Sequence, residues 1–347
     1  MQRRAPVANN NIRQSNFQKS AVTNTTANRS KSQAPVSTKK PADLRVGDEL
    51  VPKGLRVQAI GNIKACQDKC LKHILTNAET LFMSKKIHDR GDWLCSHKEK
   101  DQTYDLYQKP GVKNLVTQQR DKIYIFVIDP TITPDFIEKL QRYCGAFYTG
   151  MKIEIMFPKS QTFLEDQGVA NRENPYSGVI QYNAAQILKK TLPLVPKDAY
   201  CMLTVTMQDI YPFDSWNYVF GWANYTSRTG VFSFGRYDPN FEENNGLALS
   251  AQDPENELLE NACYVMVHEI GHMYGLTHCT FYECIMNGFN SYQEQRRFKR
   301  YLCPVCLRKL QSNMQFNVKQ RFIDMQKICE EYGFTEMAEY YKQTSKY

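Results

Sequence analysis

A chain of 347 residues, 42% hydrophobic and 23% charged, has an ordinary globular composition and enough length to bury a sizeable core in one large or two modest domains. Its formal charge of +8 is lopsided, because residues 1–42 hold Arg3, Arg4, Arg13, Lys19, Arg29, Lys31, Lys39 and Lys40 and no acid, leaving 36 basic against 36 acidic groups elsewhere. A neutral body argues against nucleic-acid binding as the main task. With no run of 18 apolar residues and no signal-peptide core, neither a membrane partner nor secretion is expected, and a cytoplasmic or nuclear setting is.

In chain order, residues 1–42 are rich in Asn, Ser, Thr, Gln and Ala and cannot bury enough surface to offset their ordering entropy, so a disordered basic tail is expected. An organellar transit peptide is also Arg- and Ser-rich and acid-poor, but forms an amphipathic helix, and no apolar stripe is present. Residues 43–120 lean helical. From Ala65 to Lys86, Leu71, Ile74, Leu75, Leu81 and Phe82 fall at broadly helical spacing, predicting a helix packed on the main body. Cys66, Cys70, His73, Cys95 and His97 are metal-ligating types, but none of them forms a CxxC pair, and a helix with core thiols is the simpler reading.

Residues 121–347 are expected to form the catalytic part. KIYIFVID at Lys122–Asp129 and KIEIMFP at Lys152–Pro158 read as strands, with a helix between them opened by Thr133 as N-cap and Pro134 at its first position. A second helix is predicted over Gly178–Pro193 and a third strand over Tyr200–Pro212. Strand, helix, strand, helix, strand is the layout of an α/β, mostly parallel sheet with helices on its faces. Trp216, Tyr218, Phe220 and Trp222 alternate, predicting aromatic side chains on one strand face, and Gly230–Pro239 reads as another strand. Pro239–Glu257 is polar and reads as a surface loop, and four C-terminal segments over Tyr292–Lys342 read as helices with Gly333 as a cap.

The chemistry concentrates in HEIGHMYGLTHC, His268 to Cys279, which contains three of the six histidines. On a helix His268 and His272 share one face a turn apart and can bind one metal ion, while Glu269 points along a neighbouring direction, where a general base belongs. Gly275 can take the left-handed conformation that ends the helix and lets His278 turn back as a third ligand. Three protein ligands leave a fourth position for water, the mark of a catalytic rather than a structural zinc. The whole HExxHxxGxxH pattern is far more specific than HExxH alone, and has the extended metzincin form. A buried helix with satisfied histidines is the bland alternative.

Cys279, Cys284, Cys303 and Cys306, the last two in a CxxC knuckle, read as a closed tetrahedral site for a second, structural zinc. Disulfides and free core thiols are the competing readings.

HEIGHMYGLTHC, then CIM at Cys284–Met286, then YLCPVCLRKLQ at Tyr301–Gln311 resemble the archaemetzincins, in particular their eukaryotic members. The resemblance covers roughly Ile123 to Leu310. It implies a zincin-like α/β fold whose sheet carries an antiparallel edge strand, an active-site helix and a helical C-terminal subdomain. It implies two zinc ions, one on His268, His272 and His278 with Glu269 as base, the other on the four cysteines. It makes Met286 the Met-turn methionine beneath the catalytic metal. Gln181 and Ile187 also look like family positions, and Tyr218 to Asn224 looks like the edge strand above the zinc, where an extended peptide adds a strand, so Tyr218, Phe220 and Trp222 become candidate substrate contacts. For any one of these aromatics, core is the commoner fate.

The expected activity is therefore zinc-dependent hydrolysis of a peptide or protein substrate. Tyr282 and Tyr292 are oxyanion candidates by sequence proximity alone. A non-peptide amidase, a zinc-stabilised binding protein and a scaffold using its basic tail are the alternatives.

Overall fold

The computed structural model describes residues 43–238, 240–241 and 253–347. The expected basic tail and most of the expected loop at Pro239–Glu257 lie outside them. At its far end that stretch is helical, since Asp253 caps Asn256 N and Pro254 opens a helix.

Residues 43–120 contain five short helices among the described residues: α1 (Lys53–Ala59), α2 (Lys69–Thr76), α3 (Ala78–Leu81), α4 (Trp93–Ser96) and α5 (Tyr104–Tyr107). The single helix expected over Ala65–Lys86 is split into α2 and α3 at Asn77, whose side chain turns back onto the His73 carbonyl.

The β-branched and aromatic runs form strands as their pattern predicts. β1 (Lys122–Val127) leads into α6 (Pro134–Phe147), started by Thr133 Oγ1 accepting from Phe136 N, and then β2 (Lys152–Met156). After α7 (Phe163–Asp166) and β3 (Asn171–Glu173), the predicted helix over Gly178–Pro193 proves to be β4 (Ile180–Asn183) followed by α8 (Ala184–Thr191). Helical propensity loses there to the buried Gln181, whose amide donates to Asp209 and to the Asn217 carbonyl and holds the segment extended. The predicted third strand is likewise two, β5 (Ala199–Thr206) and β6 (Asp209–Tyr211), which belong to different sheets. The break is fixed by Asp129, which accepts from Thr206 Oγ1, Met207 N and Gln208 Nε2.

With β7 (Gly221–Asn224) and β8 (Thr229–Ser233), the main sheet has the order β2-β1-β5-β8-β7. All pairs are parallel except β7 with β8, so β7 is an antiparallel edge, and the expected α/β fold with such an edge is what forms. A smaller sheet runs β3-β4-β6. Alternation along β1 sends Ile123, Ile125 and Val127 into the larger core and Phe126 and Ile128 into a second one on the opposite face.

The larger core is organised by α9 (Pro254–Met273), whose second half is buried almost all round against α6, β5 and β8. The remaining helices are α10 (Tyr292–Arg296), α11 (Pro304–Met314), α12 (Val318–Glu331) and α13 (Thr335–Thr344). The first of the four C-terminal helices, expected over Tyr292–Leu302, ends at Arg296. No helix among the described residues is long and apolar enough to cross a membrane.

Candidate functional site

Helix α9 carries His268, Glu269 and His272 at its C-terminal end, and the chain leaves the helix through Gly275 at φ +86°, with Leu276 N bonded back to the Gly271 carbonyl. A Cβ at Gly275 would clash with the Val112 carbonyl, so that position requires glycine for space as well as for φ. The turn brings His278 beside the other two rings, and one ring nitrogen of each of the three lies within 4.8 Å of the others.

The hydrogen bonds of these rings fix their tautomers. His268 Nδ1 meets the Ile285 carbonyl at 2.7 Å and His272 Nδ1 meets the Leu276 carbonyl at 2.7 Å. A carbonyl only accepts, so both Nδ1 atoms carry the proton and both Nε2 atoms present lone pairs. Burial holds His268 well below the usual imidazole range and His272 down at about 4, so neither ring takes up a second proton near neutrality. The two Nε2 atoms nevertheless face each other at 3.1 Å. Two lone pairs so close are favourable only with a cation between them, and tetrahedral zinc–nitrogen bonds of ~2.0–2.1 Å imply such a separation. The donor set therefore fits zinc.

His278 differs in its support. Its Nδ1 lies 2.7 Å from Glu99 Oε1, and its ring meets Trp93 edge to face with centroids 5.1 Å apart. Burial opposes ionisation of Glu99, but the His278 charge and the N–H donors of His278 and Trp93 bring its carboxyl down to about 2. Glu269 is half-buried, and no described residue hydrogen-bonds its carboxylate. Burial pushes it up to about 7, against the pull of His278.

Met286 is buried under α9. A Cβ on Gly271 would lie 2.6 Å from its sulfur, so the glycine of HEIGH is what lets the methionine pack there. The Met286 carbonyl accepts from Cys279 N at 2.7 Å, joining this floor to the second cluster.

Cys279, Cys284, Cys303 and Cys306 are all buried and their sulfurs lie within 4.8 Å of one another, with Cys279 and Cys303 at 3.6 Å. A disulfide needs ~2.05 Å, whereas sulfurs sharing a tetrahedral zinc at ~2.3 Å stand nearly 4 Å apart. Cys284 Sγ accepts from Cys303 N at 3.2 Å and Met286 N at 3.5 Å. Cys303 is the N-cap of α11 and Cys306 sits in its first turn. Burial opposes ionisation of Cys279, but hydrogen bonds from the other three thiols, with a smaller contribution from the buried Lys309, draw it toward the thiolate. This donor set also fits zinc.

Among the described residues these are the two groups of such ligands. Cys66, Cys70, His73, Cys95 and His97 do not assemble: His73 stacks on Tyr347 and His97 on Trp93.

The aromatic stretch is divided. The chain bends at Phe220, and only Gly221–Asn224 is strand, so the predicted single aromatic face does not form. Trp216 and Trp222 pack together against the second core. Tyr218 lies over the Arg236 guanidinium at 3.4 Å. Phe220 contacts Phe289, which in turn contacts His268. Tyr282 and Tyr292 are engaged elsewhere, their hydroxyls donating to Glu79 and Glu257. What the sequence did not reveal is Glu99 and Trp93, polar and aromatic residues in a mixed charged run with no periodicity to single them out.

Residues 195–312 match the sequence model of a family described as Peptidase family M54. The chain is similar to archaemetzincin-2 of Mus musculus, 31% identical over 301 residues, covering 79% of this chain and 83% of that protein. It is 28% identical over 266 residues to archaemetzincin-1 of Homo sapiens, covering 70% of this chain and 53% of that one. Among solved structures it is similar to the crystal structure of archaemetzincin from Methanopyrus kandleri, with 24% identity, a TM-score of 0.43, and coverage of 58% of this chain and 100% of that chain.

Proposed function

This chain belongs to the archaemetzincins, a family of zinc metallopeptidases, and from that premise we propose that it hydrolyses peptide bonds with His268, His272 and His278 holding a catalytic zinc and Glu269 as general base. Cys279, Cys284, Cys303 and Cys306 hold a second zinc that is structural, giving two ions per chain. When bound, the catalytic ion supplies a Lewis acid and lowers the pKa of its water to ~7.

The protein's own residues do the rest. Glu269 accepts a proton from the attacking water as the oxygen bonds to the scissile carbonyl carbon, and delivers it to the amide nitrogen as the C–N bond breaks. The products are a carboxylate and an amine, and no covalent enzyme intermediate is needed. Met286 supports the helix floor at Gly271. The β7 edge, paired only with β8 among the described residues, offers backbone groups to an extended substrate, and Phe220, which packs on the Phe289 beside His268, is the substrate contact these rings favour over Tyr218 and Trp222.

The observation that carries the reading is the pair of bare Nε2 atoms facing each other at 3.1 Å, with their Nδ1 protons committed to carbonyls. Cleavage of an unbiased peptide library by the wild type and by Glu269→Gln tests it. Cleavage by the wild type alone is expected. Equal cleavage by both would remove Glu269 from the mechanism, and cleavage by neither, with zinc bound, would favour a binding role.

A further inference from the structure

The two helical ligands need little help to aim: α9 sets their backbone and peptide carbonyls accept their Nδ1 protons. His278 has no such frame. It stands on the irregular loop after Gly275, and its orientation comes from residues far away in sequence. Glu99 Oε1 accepts from His278 Nδ1 at 2.7 Å and from Trp93 Nε1 at 2.6 Å, so the carboxylate is itself fixed by two N–H donors. Trp93 closes the ring's edge, and Gly288 makes room below, since a Cβ there would stand 2.7 Å from both His278 Nδ1 and Trp93 Nε1.

The same stretch grips the loop on both sides of His278. Gln102 Nε2 donates to the Gly275 carbonyl at 2.9 Å and Asp101 accepts from Thr280 Oγ1 at 2.6 Å. Tyr107 Oη donates to the Tyr274 carbonyl at 2.7 Å and Asn114 Nδ2 to the Met273 carbonyl at 2.8 Å. Trp93, Glu99, Asp101, Gln102, Tyr107 and Asn114 all lie outside the 195–312 stretch that matches the family model.

We propose that Glu99 is a positioning residue for the third zinc ligand: it holds the proton on His278 Nδ1, turns Nε2 toward the metal and strengthens that nitrogen as a donor, whereas the hydrogen bonds from residues 101–114 stabilise the fold of the loop and do not aim the ring. The proposal rests on the three-histidine reading of the catalytic site. A carboxylate is an acceptor only, so it enforces one tautomer, and being charged it polarises the ring more than a carbonyl does. Partners of this kind typically contribute 10–100-fold to metal affinity.

The test is zinc affinity by chelator competition on the full chain, for the wild type, Glu99→Gln, Glu99→Ala, Tyr107→Phe and His278→Ala. Glu99→Ala is expected to weaken the more weakly held zinc by ~10–100-fold. Glu99→Gln, which keeps an acceptor oxygen and loses the charge, is expected to fall between it and wild type. In both, retention of the tighter zinc reports a folded chain. Tyr107→Phe loosens the clamp away from the ligands and is expected to lower Tm with wild-type zinc affinity. Wild-type affinity in both Glu99 variants, or an equal loss in Tyr107→Phe, would overturn the assignment. Wild-type affinity in His278→Ala would show instead that the three-histidine reading is wrong, and the role of Glu99 would fall with it.

Discussion

His278 and Cys279 are neighbours in the chain, yet they belong to two ligand clusters built in opposite ways. The four cysteines are sealed in the core, with Cys284 taking two backbone N–H groups onto its sulfur, and they join the loop after α9 to the start of α11. Of the three histidines only His268 is fully buried; His272 and His278 are half-buried, leaving one side of the cluster reachable from solvent. On the proposed reading, one chain segment carries a closed site for folding and an open site for chemistry, separated by a single peptide bond. Substitutions on the two sides should fail differently.

The largest effect is expected on the cysteine side. Structural zinc sites bind with ~10–16 kcal/mol, so Cys303→Ser should lower stability by ~5 kcal/mol or more, read by urea denaturation. A stability loss no greater than that of His272→Ala would erase the contrast. On the histidine side, Glu269→Gln should lower kcat/KM by ~10²–10⁴ while zinc content and Tm stay at wild-type values. A matching fall in Tm would make Glu269 structural.

Gly288→Ala sharpens the boundary between the two. Its new Cβ would press on the His278 and Trp93 rings, which are rigid, so a cost of ~1–3 kcal/mol and weaker binding of the catalytic zinc are expected, with the cysteine zinc kept. Loss of both ions together would show that the clusters are not separable.

The smallest effect concerns acid. Tyr282, between Cys279 and Cys284, donates to Glu79, and Arg56 binds both Glu79 and Glu49. The Arg56 hydrogen bonds hold both carboxyls below their usual range. Groups with a depressed folded pKa stabilise the fold above the unfolded value, ~4.3 for Glu, and that stability is lost as pH falls through the folded value. Urea midpoints should therefore drop below about pH 4.3, and Glu79→Gln should flatten that slope. An unchanged slope would detach this ion pair from the cysteine loop.

Local spacing made much of this visible in advance. A four-residue step on a helix must align His268 with His272, and the fold does bring together the same three histidines and four cysteines that their spacing groups. Runs such as Lys122–Val127 carry their own strand signal and formed as read. What escaped depends on contacts distant in sequence. Gln181 overrides a helix-forming segment through Asp209 and Asn217, the bend at Phe220 divides an alternation that looked continuous, and Glu99 meets His278 across 179 residues. Periodicity carries no information about partners of that kind.

The most direct test of the contrast is a graded chelation experiment that follows zinc per chain, peptidase activity and circular dichroism in one titration. The account predicts two ions at the start, loss of the first with all activity and an intact fold, and loss of the second only with unfolding. Activity that survives removal of the first ion, or unfolding that accompanies it, would contradict the division into an open catalytic site and a closed structural one.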